Sequence, residues 1–201
     1  VPSVYDLKPA FQRLLRPLVR KLAAAGVSAN QVTVAAVVLS CLAGALIATR
    51  PHEPHWLLLL PGASFARMAL NAVDGMLARE HGQQSRLGAL LNELGDVLSD
   101  AALYLPLALV TGFSPALVVT IVVLAGMVEL TGVLGQTVGG SRRYDGPMGK
   151  SDRALVFGAL GLILGLGAPA GPWLDAVLAL VLALSLWTVL NRARRALAEA
   201  G

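Results

Sequence analysis

The chain has 201 residues, of which 56% are hydrophobic and only 14% charged, with a formal net charge of +4 and one cysteine. A soluble domain carries about 25% charged residues, so the composition excludes an ordinary soluble enzyme and points to a single polytopic helical membrane domain over 1–201. The lone Cys41 excludes a disulfide framework and a cysteine-based zinc site and reads as a small buried hydrophobe; the Lys/Arg excess finds a topological use, with no nucleic-acid partner implied.

Residues 4–24 set Lys8, Arg13, Arg16, Arg20 and Lys21 among Leu7, Phe11, Leu14, Leu15, Leu18 and Leu22. That pattern predicts a juxtamembrane amphipathic helix whose basic face meets anionic membrane lipids; packing on its own protein is compatible with this. The segment lacks the short apolar core and small-residue cleavage site of a signal peptide. Six spans follow, at 29–49, 56–80, 86–110, 115–138, 151–168 and 173–196, judged against the ~20 residues needed to cross hydrocarbon. Turn signals such as Arg50-Pro51-His52-Glu53-Pro54 and Thr111-Gly112-Phe113-Ser114-Pro115 separate them. The predicted fold class is all-α integral membrane: six transmembrane helices over 29–196, preceded by an amphipathic interfacial helix.

Basic residues near the span ends set orientation. Arg79, Arg86, Arg142, Arg143, Lys150, Arg153, Arg192, Arg194 and Arg195 fall on one side with the N-terminal helix, and the opposite loops hold only Arg50. Both termini and the loop 81–85 are therefore expected on the cytoplasmic side. His52 and His55 read as an interfacial loop pair in preference to a metal pair. Trp56, Trp173 and Trp187 need no catalytic role, and Arg192, Arg194 and Arg195 read as an anchor.

One stretch departs from this apolar background. It runs Asn71-x-x-Asp74-Gly75-x-x-Ala78-Arg79, then eight residues, then Gly88-x-x-x-Asn92-x-x-x-Asp96. Intramembrane carboxylates are costly and mark functional sites by default. With ~100° between helical neighbours, Arg67, Asn71, Asp74 and Ala78 share one face of the second span. Gly88, Asn92, Asp96 and Asp100 form a slowly rotating stripe on the third. Antiparallel packing brings Asn71 level with Asp96, and Asp74 level with Asn92. Oxygen donors of this kind suit Mg²⁺, which binds carboxylates together with substrate phosphates. Gly75, Ala78 and Gly88 allow close approach, although small residues also serve helix packing. Arg79 offers a guanidinium to phosphate, or a topology anchor.

This string resembles the signature of the CDP-alcohol phosphotransferase family, Asp-x-x-Asp-Gly-x-x-Ala-Arg followed by eight residues, Gly and two further Asp at four-residue steps. Ser28-Ala29-Asn30-Gln31-Val32-Thr33 is similar to the family's Pro-Asn-x-x-Thr, with Ala29 in place of Pro, and Gly149-Lys150-Ser151-Asp152-Arg153 to its basic stretch before the fifth span. The resemblance implies transfer of a phosphatidyl group from a CDP-linked lipid donor to a small alcohol acceptor, with CMP released. It implies one or two Mg²⁺ or Mn²⁺ ions held by Asn71, Asp74, Asn92 and Asp96, with Asp96 as general base. Asp74, Gly75, Ala78, Arg79 and Gly88 would line the CDP site. If the acceptor carries phosphate, Arg67, Arg142, Arg143 and Lys150 would grip it, or Arg67 would pair with Asp96 or Asp100. A homodimer is implied too.

Asn71 and Asn92 stand where the family has Asp, so four formal charges become two. The empty site is therefore expected to hold metal weakly, with the nucleotide bringing a metal along. The composition, rich in Ala, Leu and Arg, points to a bacterial source and the inner membrane. Two further readings stay open: a nucleotide- or lipid-binding family member without turnover, and a small transporter. The transporter would need an inverted repeat, which the sequence does not show.

Overall fold

The structure, a computed structural model, describes residues 4–201. Side chains are described from residue 9 onward, so those of Leu7 and Lys8 lie outside the described residues. Seven α-helices follow in order: α1 Val4–Ala24, α2 Ala29–Thr49, α3 Leu59–Glu80, α4 Arg86–Tyr104, α5 Pro115–Leu134, α6 Lys150–Gly165 and α7 Pro172–Ala200. Short 3₁₀ turns sit at Pro54–Leu58, Leu105–Leu109 and Gly135–Val138, and the described residues contain no strand.

Local chemistry explains the starts. Ser28 caps α2: its hydroxyl accepts from the Gln31 amide at 3.2 Å, and the Gln31 side chain accepts from the Ser28 amide at 2.8 Å. Ser85 Oγ accepts from the Gly88 amide at 2.9 Å and opens α4. The expected third span, 86–110, breaks at Tyr104 because Pro106 has no amide hydrogen to continue the α-helical ladder. Expected span 56–80 begins in a 3₁₀ turn, and expected span 115–138 ends in one.

Among the described residues, four helical stretches are long and apolar enough to cross a membrane: Ala29–Thr49, Pro54–Glu80, Pro115–Val138 and Pro172–Ala200. The two expected spans left out have plain reasons. α4 carries Asn92, Glu93, Asp96 and Asp100, and α6 has 16 residues, about 24 Å at 1.5 Å per residue. These two shorter or more polar helices bring the site's chemistry to the core.

α2 packs on both α3 and α4, α3 on α6, and α5 on α7. One apolar cluster centres on Ile47, Leu60, Leu103, Leu107 and Leu174, with Tyr104 stacked on Phe157 at 4.3 Å between ring centroids. A second joins Val19 of α1 to Val32, Val73, Met76 and Leu77. The amphipathic helix is thus docked on its own protein, with Arg16 bound to Glu80 at 2.9 Å, while Leu14 and Leu18 point outward. Cys41 is a correction: it lies exposed on the outer face of α2, where an apolar thiol meets no penalty from lipid.

Gly44 lets α2 approach α4, because any side chain there would overlap the Ala102 carbonyl. Gly44→Val is expected to destabilise the protein by roughly 1–3 kcal/mol through overpacking. Intrinsic tryptophan fluorescence during thermal unfolding in detergent would show a lowered midpoint.

Candidate active site

The register between α3 and α4 matches the antiparallel expectation. Asn71 reaches Asp96 and, further from the connecting loop, Arg67 reaches Asp100. Asp96 is the hub. Its Oδ1 accepts from Asn71 Nδ2 at 3.1 Å and Arg67 Nη2 at 3.2 Å, and its Oδ2 accepts from Lys150 Nζ at 2.6 Å. Arg67 Nη2 also donates to the Asp96 backbone carbonyl at 3.0 Å. Arg67 is only 4% exposed. Of the two roles left open for it, gripping an acceptor phosphate or pairing with Asp96 or Asp100, its contacts are those of the pairing, because antiparallel packing buries it opposite both.

From Asp100 the charges alternate inward. Arg153 Nε donates to Asp100 Oδ2 at 2.7 Å and its Nη2 to Glu129 Oε1 at 2.9 Å, while Nη1 donates to the Met148 carbonyl at 3.1 Å. Glu129 also meets Arg192 at 3.4 Å and Arg142 at 3.8 Å. Arg142 reaches Glu93 at 2.5 Å and lies over the Tyr144 ring. Sequence reasoning placed Arg153 in a basic stretch and Arg192 in a terminal anchor. Their side chains are instead buried, at 0% and 2% exposure for the residues. The unmatched Glu129 in an apolar span was the signal that a buried cation must face it.

Asp74 differs from its neighbours. Of the four acids buried among the described residues, Asp74, Asp96, Asp100 and Glu129, it alone has no described cationic partner within 4.0 Å. Its Oδ2 accepts from Thr33 Oγ1 of α2 at 2.8 Å. Asn92 lies half-buried on α4, one turn before Asp96. A side chain at Gly88 would strike Asn30, and one at Gly75 would sit 3.0 Å from the Arg79 guanidinium nitrogens. Exposed Arg79 thus folds back over the bare backbone of Gly75, and half-buried Ala78 packs against the α1–α2–α3 apolar cluster.

The segment before α2 is tied to this site. The Ala29 amide donates to Gln83 Oε1 at 2.6 Å, and Gln83 Nε2 donates to the Val27 carbonyl at 3.3 Å. A proline at 29 has no hydrogen for that bond, which gives the departure at Ala29 a physical use.

The loop before α6 divides. Lys150 joins Asp96, but Arg143 turns away to Asp145 at 2.8 Å and Glu199 at 2.7 Å, because Arg195 and Glu199 of α7 hold that end of the loop. Arg143 is therefore not brought to the site. Burial pushes the Asp145 carboxyl up, but the guanidiniums of Arg143 and Arg195 outweigh it and hold it below the usual carboxylate range. A depressed carboxyl stabilises above its unfolded value, about pH 3.9, and this contribution is lost as pH falls through the lower folded value. Amide exchange over 139–149, corrected for intrinsic rate, is expected to accelerate below that value. Asp145→Asn should weaken the dependence, with Glu199, which Ser141 and Arg143 also hold below its ordinary value, supplying the remainder.

Asp74 is the carboxylate here that could hold a divalent ion, with Asn71 and Asn92 able to add carbonyl oxygens, whereas the three side chains on Asp96 all present N–H groups to it.

A model of the CDP-alcohol phosphatidyltransferase family matches residues 26–190. Inner membrane protein YnbA of Escherichia coli (strain K12) is 47% identical over 195 residues, 97% of this chain and 96% of that protein. Phosphatidylinositol phosphate synthase of Mycobacterium marinum is 33% identical over 99 residues, 48% of this chain and 40% of the relative. The crystal structure of Mycobacterium tuberculosis phosphatidylinositol phosphate synthase with CDP-DAG bound shares the fold, with a TM-score of 0.77 at 20% identity over 92% of this chain and 94% of that one. The same enzyme in complex with manganese and citrate gives a TM-score of 0.75 at 21% identity over 90% and 87%. With the family match spanning nearly the whole helical core and Asn71 of the motif bonded to Asp96, this chain belongs to the CDP-alcohol phosphatidyltransferase family.

Proposed function

We propose that this chain transfers the phosphatidyl group of a CDP-linked lipid, CDP-diacylglycerol, to a small alcohol and releases CMP, in phospholipid synthesis. The observation that carries the reading is Asp96: a buried carboxylate whose Oδ1 is held by Arg67 and Asn71 while Oδ2 has one partner, Lys150. An ionised carboxylate oxygen accepts more than one hydrogen bond, so Oδ2 retains a lone pair for an acceptor hydroxyl.

In this reading the acceptor oxygen attacks the lipid-side phosphorus and the P–O bond to CMP breaks. The hydroxyl proton passes to Asp96 Oδ2. Arg67 and Asn71 orient the carboxylate without entering the reaction. Thr33 orients Asp74, and Gly75 and Gly88 let the diphosphate approach the backbone, with Arg79 available to its oxygens. A divalent ion held by Asp74, with Asn71 and Asn92, would neutralise charge on the diphosphate. Lys150 and Arg142 would meet a phosphate on the acceptor. Six membrane-crossing helices, both termini on the cytoplasmic side of a bacterial inner membrane, and a homodimer complete the proposal. The Lys/Arg bias supports the orientation.

The test is CMP release by purified protein in nanodiscs supplied with CDP-diacylglycerol, Mg²⁺ or Mn²⁺ and a pooled acceptor panel. Release that depends on acceptor is expected, and splitting the pool names the alcohol. The replacement of two motif carboxylates by Asn71 and Asn92 favours a second reading, a binding protein without turnover. CDP-diacylglycerol binding with no CMP release would select it.

A further inference from the structure

We infer that Lys150 takes the place of a second divalent cation at Asp96, so that this chain holds one divalent ion, on Asp74. The inference deepens the transferase reading and rests on it.

Charge comes first. The four motif positions Asn71, Asp74, Asn92 and Asp96 carry two carboxylates, and among the described residues no group of three His, Cys, Asp or Glu is arranged to hold a metal. Lys150 Nζ lies 2.6 Å from Asp96 Oδ2 and cancels its charge. Arg67 is shared between Asp96 and Asp100, and Arg153 completes Asp100. One buried acid, Asp74, has no cation within 4.0 Å among the described residues. A single carboxylate without a contacting cation calls for one ion.

The donor chemistry agrees. A carboxylate only accepts hydrogen bonds, so the Asn71 group facing Asp96 at 3.1 Å is its NH₂. A metal on Asp96 would face that NH₂, a guanidinium and an ammonium, all with positive ends aimed at it. Metals need converging lone pairs instead. The first motif Asp, had it been present at position 71, would stand beside Asp96 and repel it unless a cation lay between. Asn71 removes that repulsion, and Lys150, the first residue of α6, provides the cation from the protein.

The test counts Mn²⁺ bound per chain by electron paramagnetic resonance, using nanodisc protein with CDP present. One ion is expected for the natural chain, none for Asp74→Asn, and two for Asn71→Asp combined with Asn92→Asp and Lys150→Gln. Lys150→Gln alone is expected to tighten Mn²⁺ binding by about tenfold. Two ions on the natural chain, an ion retained by Asp74→Asn, or unchanged affinity in Lys150→Gln would overturn the inference. The natural-chain count decides even if the triple variant fails to fold. CMP release on the same samples reads the transferase proposal separately: one ion without release keeps the charge assignment and removes the transferase reading.

Discussion

Asp96→Asn is expected to lower CMP release by about 10²–10⁴-fold if Asp96 is the proposed base, the range that a positioned general base contributes. The substitution is close to isosteric and keeps the Arg67 contact to the backbone carbonyl of residue 96. Arg67 also keeps Asp100, so the helices stay in register. The amide cannot take the acceptor proton, and Lys150 loses the carboxylate it neutralises. The expected signature is a fall in kcat with CDP-diacylglycerol still bound and the thermal midpoint little changed. An unchanged rate would remove Asp96 from the base role, and a collapsed midpoint would make it a structural hub.

Arg153→Leu is expected to cost about 3–5 kcal/mol, the penalty for removing one partner of a buried ion pair. Against the roughly 5–15 kcal/mol that holds a typical domain folded, that is a large share. The guanidinium has no exposed surface and bridges Asp100, Glu129 and the Met148 carbonyl. It therefore ties α4, α5 and α6 with one side chain. Leucine would leave Glu129 leaning on Arg192 and Arg142 at 3.4 and 3.8 Å, and Asp100 on Arg67 alone. Arg153→Lys should recover only part, since an ammonium lacks the planar fork that reaches three acceptors. Adding Glu129→Gln to Arg153→Leu should restore some stability by removing the stranded charge. Reversible unfolding in detergent measures all three variants, and a shift below 1 kcal/mol for Arg153→Leu would show that the network is solvated and carries little.

The helices read at 4–24 and 29–49 match Val4–Ala24 and Ala29–Thr49 because their signals are local: an amphipathic repeat in the first and an unbroken apolar run, closed by Arg50-Pro51, in the second. The break after Tyr104 was also written locally, in Pro106, but the long apolar run around it hid the change from α to 3₁₀. The pairing of Asn71 with Asp96 followed from helical spacing and a short loop. The burial of Arg153 and Arg192 did not follow, since a cation at a span end looks the same whether it meets headgroups or a buried acid.

What the sequence determined by itself was the set of helices and the spacing of polar groups along α3 and α4, because caps, prolines and a 3.6-residue period act within a few residues. Only the tertiary structure decided which charge neutralises which. Lys150 meets Asp96 across 54 positions, and Arg153 meets Asp100 across 53 and Glu129 across 24. Coulomb attraction is strong only at contact distance in a poorly solvated core, and contact there is set by how α4, α5 and α6 pack. That packing leaves Asp74, among the described residues, as the buried acid with no cation within 4.0 Å.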